Sequence, residues 1–523
     1  MSIKSKQFLF DDAAKKKLFE GIDLVAKVLT PTYGPKGRNI GILDFGFPSI
    51  TSEGYKALKE ISLSDPFANM GVDFCKELAK SIQEKTGDGT TLAILLLHSI
   101  LKESLKLVAT GFCPITLQNE FSKASNKILS KLQSFKHNLS DNKTLSNIAS
   151  VASHNTEDVG QIVAKAFDAI GKEAMISLLT TDNLDTKLEI HHGIQFQKGY
   201  ASNSFANNDQ TLEATLDNPK ILITDEKIES IYQLLPLLEN IAMRSEKILI
   251  VAKGYSSEVL SFLTQNKKQN KLQVAATTAP DLGDKKIEFF QDLSLVTHAT
   301  FISKNLGLSL SDITEKDLGF CEKAILSKTK TFLMLKDQNL SHADHKIKQL
   351  QNLKKKISDV STIKKIDERI AFLNGTIAQI LIGGTSDFDI KQKKSLFEKA
   401  IVSTKSAIES GFVIGGAMSL FYTSIHLQNQ EESLGEKILL NAIKTPASIL
   451  LMNAGFESVE ILNNLTELND HTMGFDAFEN NLCNFIEKGI LDPFEVVANS
   501  FTKAVTTASL ILLSETLIKE KRE

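Results

Sequence analysis

Cysteine is scarce in this chain. Cys75, Cys113, Cys321 and Cys483 are the only four in 523 residues, and their wide separation excludes a disulfide scaffold and any paired metal-ligand spacing. They fit a reducing compartment, where they serve as small buried hydrophobes. Long apolar runs are also missing. The segment from Met1 to Phe10 has lysines but no apolar signal core, and no later stretch reads as the roughly 18 apolar residues of a membrane span, so a cytoplasmic protein with no membrane partner is expected. Charge of one sign is not in excess. Sixty Lys+Arg against 63 Asp+Glu leave a net charge of -3, which disfavours a nucleic-acid partner. There is no G-x-x-x-x-G-K-[ST], which argues against an ordinary P-loop fold, and no convincing Ser/His/Asp or Cys/His nucleophile arrangement.

With 42% hydrophobic and 24% charged residues, the chain reads as a globular protein of two to four domains. Its focus is Thr86-Gly87-Asp88-Gly89-Thr90-Thr91. Phe67, Met70, Phe74, Leu78 and Ile82 recur at helical spacing before it, and an apolar run from Leu92 to Leu101 follows. The hexapeptide is therefore a tight helix-to-helix turn. The amides of Thr90, Thr91 and Leu92 at the second helix start would make an anion site strengthened by the helix dipole. Asp88 suits such a site if Mg²⁺ bridges it to phosphate oxygens; the plainer alternative is an Asp-Gly turn with Thr caps.

Asp11 and Asp12 are expected to cap a helix whose stripe is Leu18, Ile22, Val25 and Leu29. In the loop Thr32-Tyr33-Gly34-Pro35-Lys36-Gly37-Arg38-Asn39, the glycines permit close approach to a ligand, and Lys36 and Arg38 read as phosphate donors or as solvated charges. Strand-like segments at 40–43 and 49–51 lead to Glu53-Gly54, and a helical pattern fills 110–150, with a connection at 138–142. Beyond Lys187, short alternating segments at 187–190, 220–224, 247–252, 273–277 and 300–302 interleave with helical ones, giving an α/β domain. Ile347, Leu350, Leu353, Ile357, Val360, Ile363, Ile366, Ile370 and Leu373 read as an amphipathic core stripe. Helices return at 393–410, 433–451 and 496–518, so the first and last thirds should form one domain around an inserted one. His191 and His192, adjacent in a strand, face opposite sides; His342 and His345, near Asp344, are not expected to hold a metal.

Taken in order, Gly34-Pro35-Lys36-Gly37-Arg38-Asn39, Gly87-Asp88-Gly89-Thr90-Thr91, the run from Gly193 to Tyr200, Gly415-Gly416 and Gly489-Ile490-Leu491-Asp492-Pro493 resemble the bacterial group I chaperonin GroEL family over nearly the whole chain. The resemblance implies a multidomain α/β and α fold: a helical equatorial domain (1–136 and 411–523), a small intermediate domain (137–191 and 376–410) and an α/β apical domain (192–375), nested in sequence. It implies hinges at Gly193, Gly375 and Gly411, and ATP, Mg²⁺ and K⁺ as cofactors. Thr32, Tyr33, Gly34, Pro35, Ser52, Leu92 and Phe478 would lie against ATP, with its phosphates on Gly89, Thr90 and Thr91 and Mg²⁺ on Asp88, and Gly416, Asp476, Ala477, Ile490 and Asp492 would hold adenine and ribose. Tyr200, Phe205, Leu235, Leu238, Leu260 and Leu263 would line an apical groove for non-native polypeptides and a co-chaperonin lid.

Departures from that pattern bear on activity. Ser52-Glu53-Gly54 stands where the family has Lys-Asp-Gly, Leu92 replaces a threonine, and Lys399 replaces the aspartate that activates the attacking water. Glu398, about 100° round the helix, cannot take its place. Glu53 and Lys399 are thus the candidate catalytic positions, with Lys399 as a non-catalytic replacement. Ser204, Thr264 and Gln265 make the groove more polar than the family's, implying weaker client and lid binding, and the terminal Lys519-Glu520-Lys521-Arg522-Glu523 lacks the family's Gly-Met tail. The implied function is an ATP-binding chaperonin subunit that encloses non-native chains in a homo-oligomeric double ring, or in a ring mixed with a paralogue. The alternatives are a hydrolysis-deficient holdase or regulatory subunit mixing with a housekeeping chaperonin, and a monomeric nucleotide-binding enzyme with a similar equatorial fold.

Overall fold

The computed structural model of the chain describes residues 6–44, 47–139, 141–153, 156–170, 175–181, 183–207, 213–280, 284–335, 343–354, 357, 359–428, 432–468 and 470–520. They form two compact units, one made of residues 1–165 with 386–523 and the other of residues 166–385.

The first unit is built from long helices, among them Asp11–Leu29, Pro66–Thr86, Thr90–Ala109, Pro114–Ser134, Leu434–Asn453 and Phe494–Leu513. Leu18, Ile22, Val25 and Leu29 all face one core, because apolar residues three and four apart share a helix face. In the Thr90–Ala109 helix every residue from Leu92 to Leu97 is buried, so this helix runs through the core instead of along its surface. The Phe494–Leu513 helix is, contrary to the sequence expectation, long and apolar enough to cross a membrane by length and composition. Its Val497, Phe501, Ala504 and Ile511 are buried in the same core. Small two-stranded pairings also lie in this unit: Lys6–Phe10 with Thr516–Glu520, Ile40–Asp44 with Phe47–Thr51, Met473–Asp476 with Asn481–Asn484, and Phe412–Ile414 with Leu491–Pro493, which sets Val413 opposite Asp492.

Among the described residues the second unit holds two larger sheets and the short parallel pairing of Lys227–Ile228 with Gly254–Tyr255. Strands Gln273–Thr278, Lys247–Ala252, Lys220–Thr224 and Phe301–Ile302 run parallel in that order, with the antiparallel Gly319–Phe320 paired to Lys220–Thr224. Helices Leu235–Met243, Ser257–Lys268 and Asp284–Thr297 connect the parallel strands, which cannot be joined by a tight hairpin. In the six-stranded sheet the order is Met175–Thr180, Thr376–Ile382, Lys187–Phe196, Thr331–Met334, Lys323–Leu326 and Ala214–Asp217. The lysine-rich stretch forms two helices, Asp344–Lys354 and Val360–Asn374. Leu350, Ile366 and Leu373 are core residues, whereas Leu353 is exposed.

Segments 137–191 and 376–410 divide between the units. Cys75 and Cys321 are buried, but Cys113 is exposed and Cys483 half-buried, so the expected buried role holds for two of the four. His342 lies outside the described residues, and among those described no group of three His, Cys, Asp or Glu side chains can hold a metal ion.

Candidate functional site

A cleft of about 230 Å³ opens in the first unit. That volume is just below the roughly 300–1,000 Å³ usual for small-molecule sites, so the cleft suits a small molecule and not a polypeptide segment. Its floor is the Gly-Asp-Gly turn. Helix Pro66–Thr86 ends on Gly87 at φ 70°, and helix Thr90–Ala109 starts from Gly89 at φ 93°, left-handed conformations that glycine adopts without Cβ strain. No side chain caps the second helix, so the amides of Thr90, Thr91 and Leu92 remain available to an anion. Asp88 Oδ1 accepts from the Gly89 N–H at 2.8 Å, which leaves Oδ2 without a protein partner among the described residues.

The wall beside the turn is the Thr32–Pro35 loop. Gly37 N–H donates to Gly34 O at 3.0 Å and Arg38 N–H to Pro31 O at 2.7 Å, closing a compact turn. Asn453 Nδ2 donates to Thr30 O at 2.7 Å and to Tyr33 O at 2.9 Å, anchoring the loop to the Leu434–Asn453 helix. Lys36 and Arg38 do not line the cleft. Lys36 instead lies over the Phe456 ring, 5.2 Å from its centre.

All sixteen positions expected to touch nucleotide line this one cleft, from Thr32 and Ser52 through Leu92 to Gly416, Phe478, Ile490 and Asp492. Leu450, Phe475 and Phe485 add apolar walls, and Val151 with Ala152 at the end of helix Asn142–Ala152 closes one side. Asp476 lines the cleft, but its Oδ1 is occupied by the amides of Phe478 at 2.8 Å and Glu479 at 3.3 Å. The electrostatics are strained by carboxylates. Burial, with repulsion from Asp88, pushes Asp492 up to about 7, despite a hydrogen bond from the Gly416 amide. Burial also raises the Tyr33 phenol beyond its ordinary range, and Asp492 and Asp88 add to the effect.

Of the two candidate catalytic positions, Lys399 lines the cleft and Glu53 does not. Glu53 lies buried behind the rim, its Oε1 accepting from Ser395 Oγ at 2.5 Å and its Oε2 paired with Lys56 Nζ at 3.1 Å. Burial alone would push its pKa up, but the Lys399 charge, Ser395 and Lys56 together hold the carboxyl below the ordinary range. Glu53 is therefore a bound carboxylate, not a base facing a ligand. Glu398 is exposed and outside the cleft.

Sequence reasoning missed Ser395, Asn453 and Ser500, whose partners are far away along the chain. Ser500 is buried on the Phe494–Leu513 helix and donates to Gly89 O at 3.1 Å.

The expected groove in the second unit needs correcting. Phe205, Leu238 and Leu263 are buried in its core and cannot meet a partner, whereas Tyr200, Leu235 and Leu260 keep partial exposure. Val259 and Leu263, four residues apart, point helix Ser257–Lys268 into the core; Leu260 lies at the edge of that face. Thr264 Oγ1 turns back on Leu260 O at 2.8 Å. Among the described residues of this unit, Tyr232 and Met243 are the most exposed large apolar side chains, at 78% and 81%.

A family model described as the TCP-1/cpn60 chaperonin family matches residues 25–522. Two similar solved structures are crystal forms II and I of the chaperonin gp146 from the bacteriophage EL 2 (Pseudomonas aeruginosa), both in the presence of ATP-BeFx, with TM-scores of 0.75 and 0.72. Each is 17% identical, with 98% of this chain and 99% of that chain covered. At that identity the likeness concerns the fold.

Proposed function

The chain belongs to the TCP-1/cpn60 chaperonin family, and from that premise we propose that its helical unit binds ATP with Mg²⁺ while its α/β unit captures non-native polypeptides within a ring of subunits. A chaperonin role in protein folding comes with the family. The observation that carries the nucleotide reading is the meeting, in one cleft, of an uncapped helix start, a carboxylate with a spare oxygen and a loop held by Asn453. One carboxylate suits Mg²⁺, which takes one or two protein ligands and completes its shell with phosphate oxygens and water. Asp88 would hold it, and the bound cation would neutralise phosphate charge. The amides of Thr90, Thr91 and Leu92 would orient the phosphates, and Leu450, Phe475 and Phe485 would shield the base from water. Co-chaperonin binding and mixing with a paralogue belong to the same proposal.

Hydrolysis is slow in this reading. Water attack needs a group that orients the nucleophile and takes up its proton, and a protonated lysine has no lone pair for that task. Glu53 cannot substitute while Ser395 and Lys56 occupy both its oxygens. Loss of a general base costs roughly 10²–10⁴-fold in rate. Lys399 would still attract the triphosphate, favouring bound over free nucleotide without lowering the barrier equally. Equilibrium ATP binding beside steady-state phosphate release, for the native chain and Lys399→Asp, tests this. Tight binding, negligible native turnover and partial rescue by Lys399→Asp are expected; rapid native turnover would refute it.

A further inference from the structure

We propose that Ser500 is a positioning residue of the nucleotide cleft, setting the orientation of the Gly89–Thr90 peptide so that the Thr90 N–H faces the phosphates. The proposal rests on the ATP reading above and adds a residue to it. Gly89 sits at φ 93°, where the peptide on either side of a glycine can rotate with little steric resistance. Nothing in that local conformation keeps the Gly89 carbonyl turned inward. If it turned outward, a carbonyl oxygen would face the phosphates where an amide is needed.

Two donors hold the carbonyl in place. Ala93 N–H reaches Gly89 O at 3.0 Å as the first bond of the helix, and Ser500 Oγ reaches it at 3.1 Å from the Phe494–Leu513 helix. In a planar trans peptide the C=O and N–H of one unit point in opposite directions. Fixing Gly89 O against Ser500 therefore fixes the Thr90 N–H away from Ser500, out of the uncapped helix start. Ser500 is fully buried, so water does not compete for this hydroxyl. The packing is tight as well: a Cβ at Gly89 would lie 2.4 Å from Ser500 Oγ and 2.9 Å from Val496 Cγ1. The turn thus rests on the Phe494–Leu513 helix with room for a glycine and one hydroxyl contact. Ser500 itself does not line the cleft and acts only through Gly89.

A residue that merely supports the fold would weaken every ligand together, whereas an orienter of one phosphate-facing amide should affect only ligands with phosphates. Calorimetric titration of the full chain with ATP, ADP and adenosine, native against Ser500→Ala, separates the two. One lost hydrogen bond corresponds to about a 2–10-fold drop in affinity, expected for ATP and ADP, with adenosine unchanged within about twofold. Ser500→Cys, which keeps a weak donor, should fall between native and Ser500→Ala. Hydrogen exchange of ligand-free protein reads the same lock without nucleotide: Ser500→Ala should speed exchange in residues 87–92 and leave the rest of the Phe494–Leu513 helix unchanged. Equal loss for ATP and adenosine, or unchanged ATP affinity, overturns the proposal, as does unaltered exchange in residues 87–92. If the native chain binds no ATP but exchange accelerates as described, the ATP reading fails while the lock on this peptide stands.

Discussion

The Gly193 N–H donates to the Gly375 carbonyl at 2.6 Å, joining two of the three glycines expected as hinges in one hydrogen bond. They differ in what they tolerate. Gly375 closes helix Val360–Asn374 at φ 56°, a left-handed conformation that costs an L-residue roughly 1–2 kcal/mol. Gly193 has ordinary strand geometry, but a Cβ there would meet the Leu333 carbonyl at 2.6 Å. Gly193→Ala should destabilise the chain more than Gly375→Ala, because rigid backbone must move. Denaturant unfolding of both variants measures the order, and a larger effect at Gly375 would contradict it.

Ligand-free stability should depend on pH through Asp492. Its folded-state value of about 7 lies above the ordinary 3.8, so the folded form holds the proton more tightly than the unfolded chain does. The stabilisation is fully present below about pH 4 and disappears as pH rises towards 7. The melting temperature should therefore fall between pH 5 and 7.5, and Asp492→Asn should flatten that slope. An identical slope in the variant would remove Asp492 as its source.

The corrected groove separates folding from capture. Leu263→Ala empties a core position and should cost about 2–5 kcal/mol, lowering the melting temperature. Tyr232→Ser should leave the melting temperature nearly unchanged and reduce protection of a denatured client from aggregation, since Tyr232 is largely exposed. Undiminished protection by Tyr232→Ser would exclude that face as a capture surface.

Ser395→Ala tests what holds Glu53. Loss of its 2.5 Å bond frees one carboxylate oxygen, so phosphate release in a Lys399→Asp, Ser395→Ala double variant should exceed that of Lys399→Asp alone. A slower double variant would mean that Ser395 supports the site instead of withholding Glu53 from it.

Stripes such as Leu18, Ile22, Val25 and Leu29 were legible because helical periodicity is a local property. The helix-to-helix turn was legible for a similar reason, since Gly87 and Gly89 bracket a helix start within three residues. Ser395, Asn453 and Ser500 were not, because their partners lie 342, 423 and 411 residues away and a lone Ser or Asn in a helix carries no local mark of such a role. The apical error has another origin: Phe205 and Leu263 are apolar residues on plausible faces, and only packing of the whole unit decides which edge of a helix is covered. Lys399 stood out in the sequence as a departure from the pattern, but its influence on Glu53 required their placement in space.

Gly87 has no room for a side chain: a Cβ there would lie 2.6 Å from Val402 Cβ, and Val402 sits three residues after Lys399 on helix Asp387–Ser410. That helix and the Gly-Asp-Gly turn leave no room for a side chain between them at this point. A displacement of the helix toward the turn would push on the backbone that presents Asp88, and a displacement away would open a void and carry Lys399 off with it. A side chain at Gly87 could be accommodated only by shifting helix Asp387–Ser410, so the position of that helix and the size of the residue at this turn are set together.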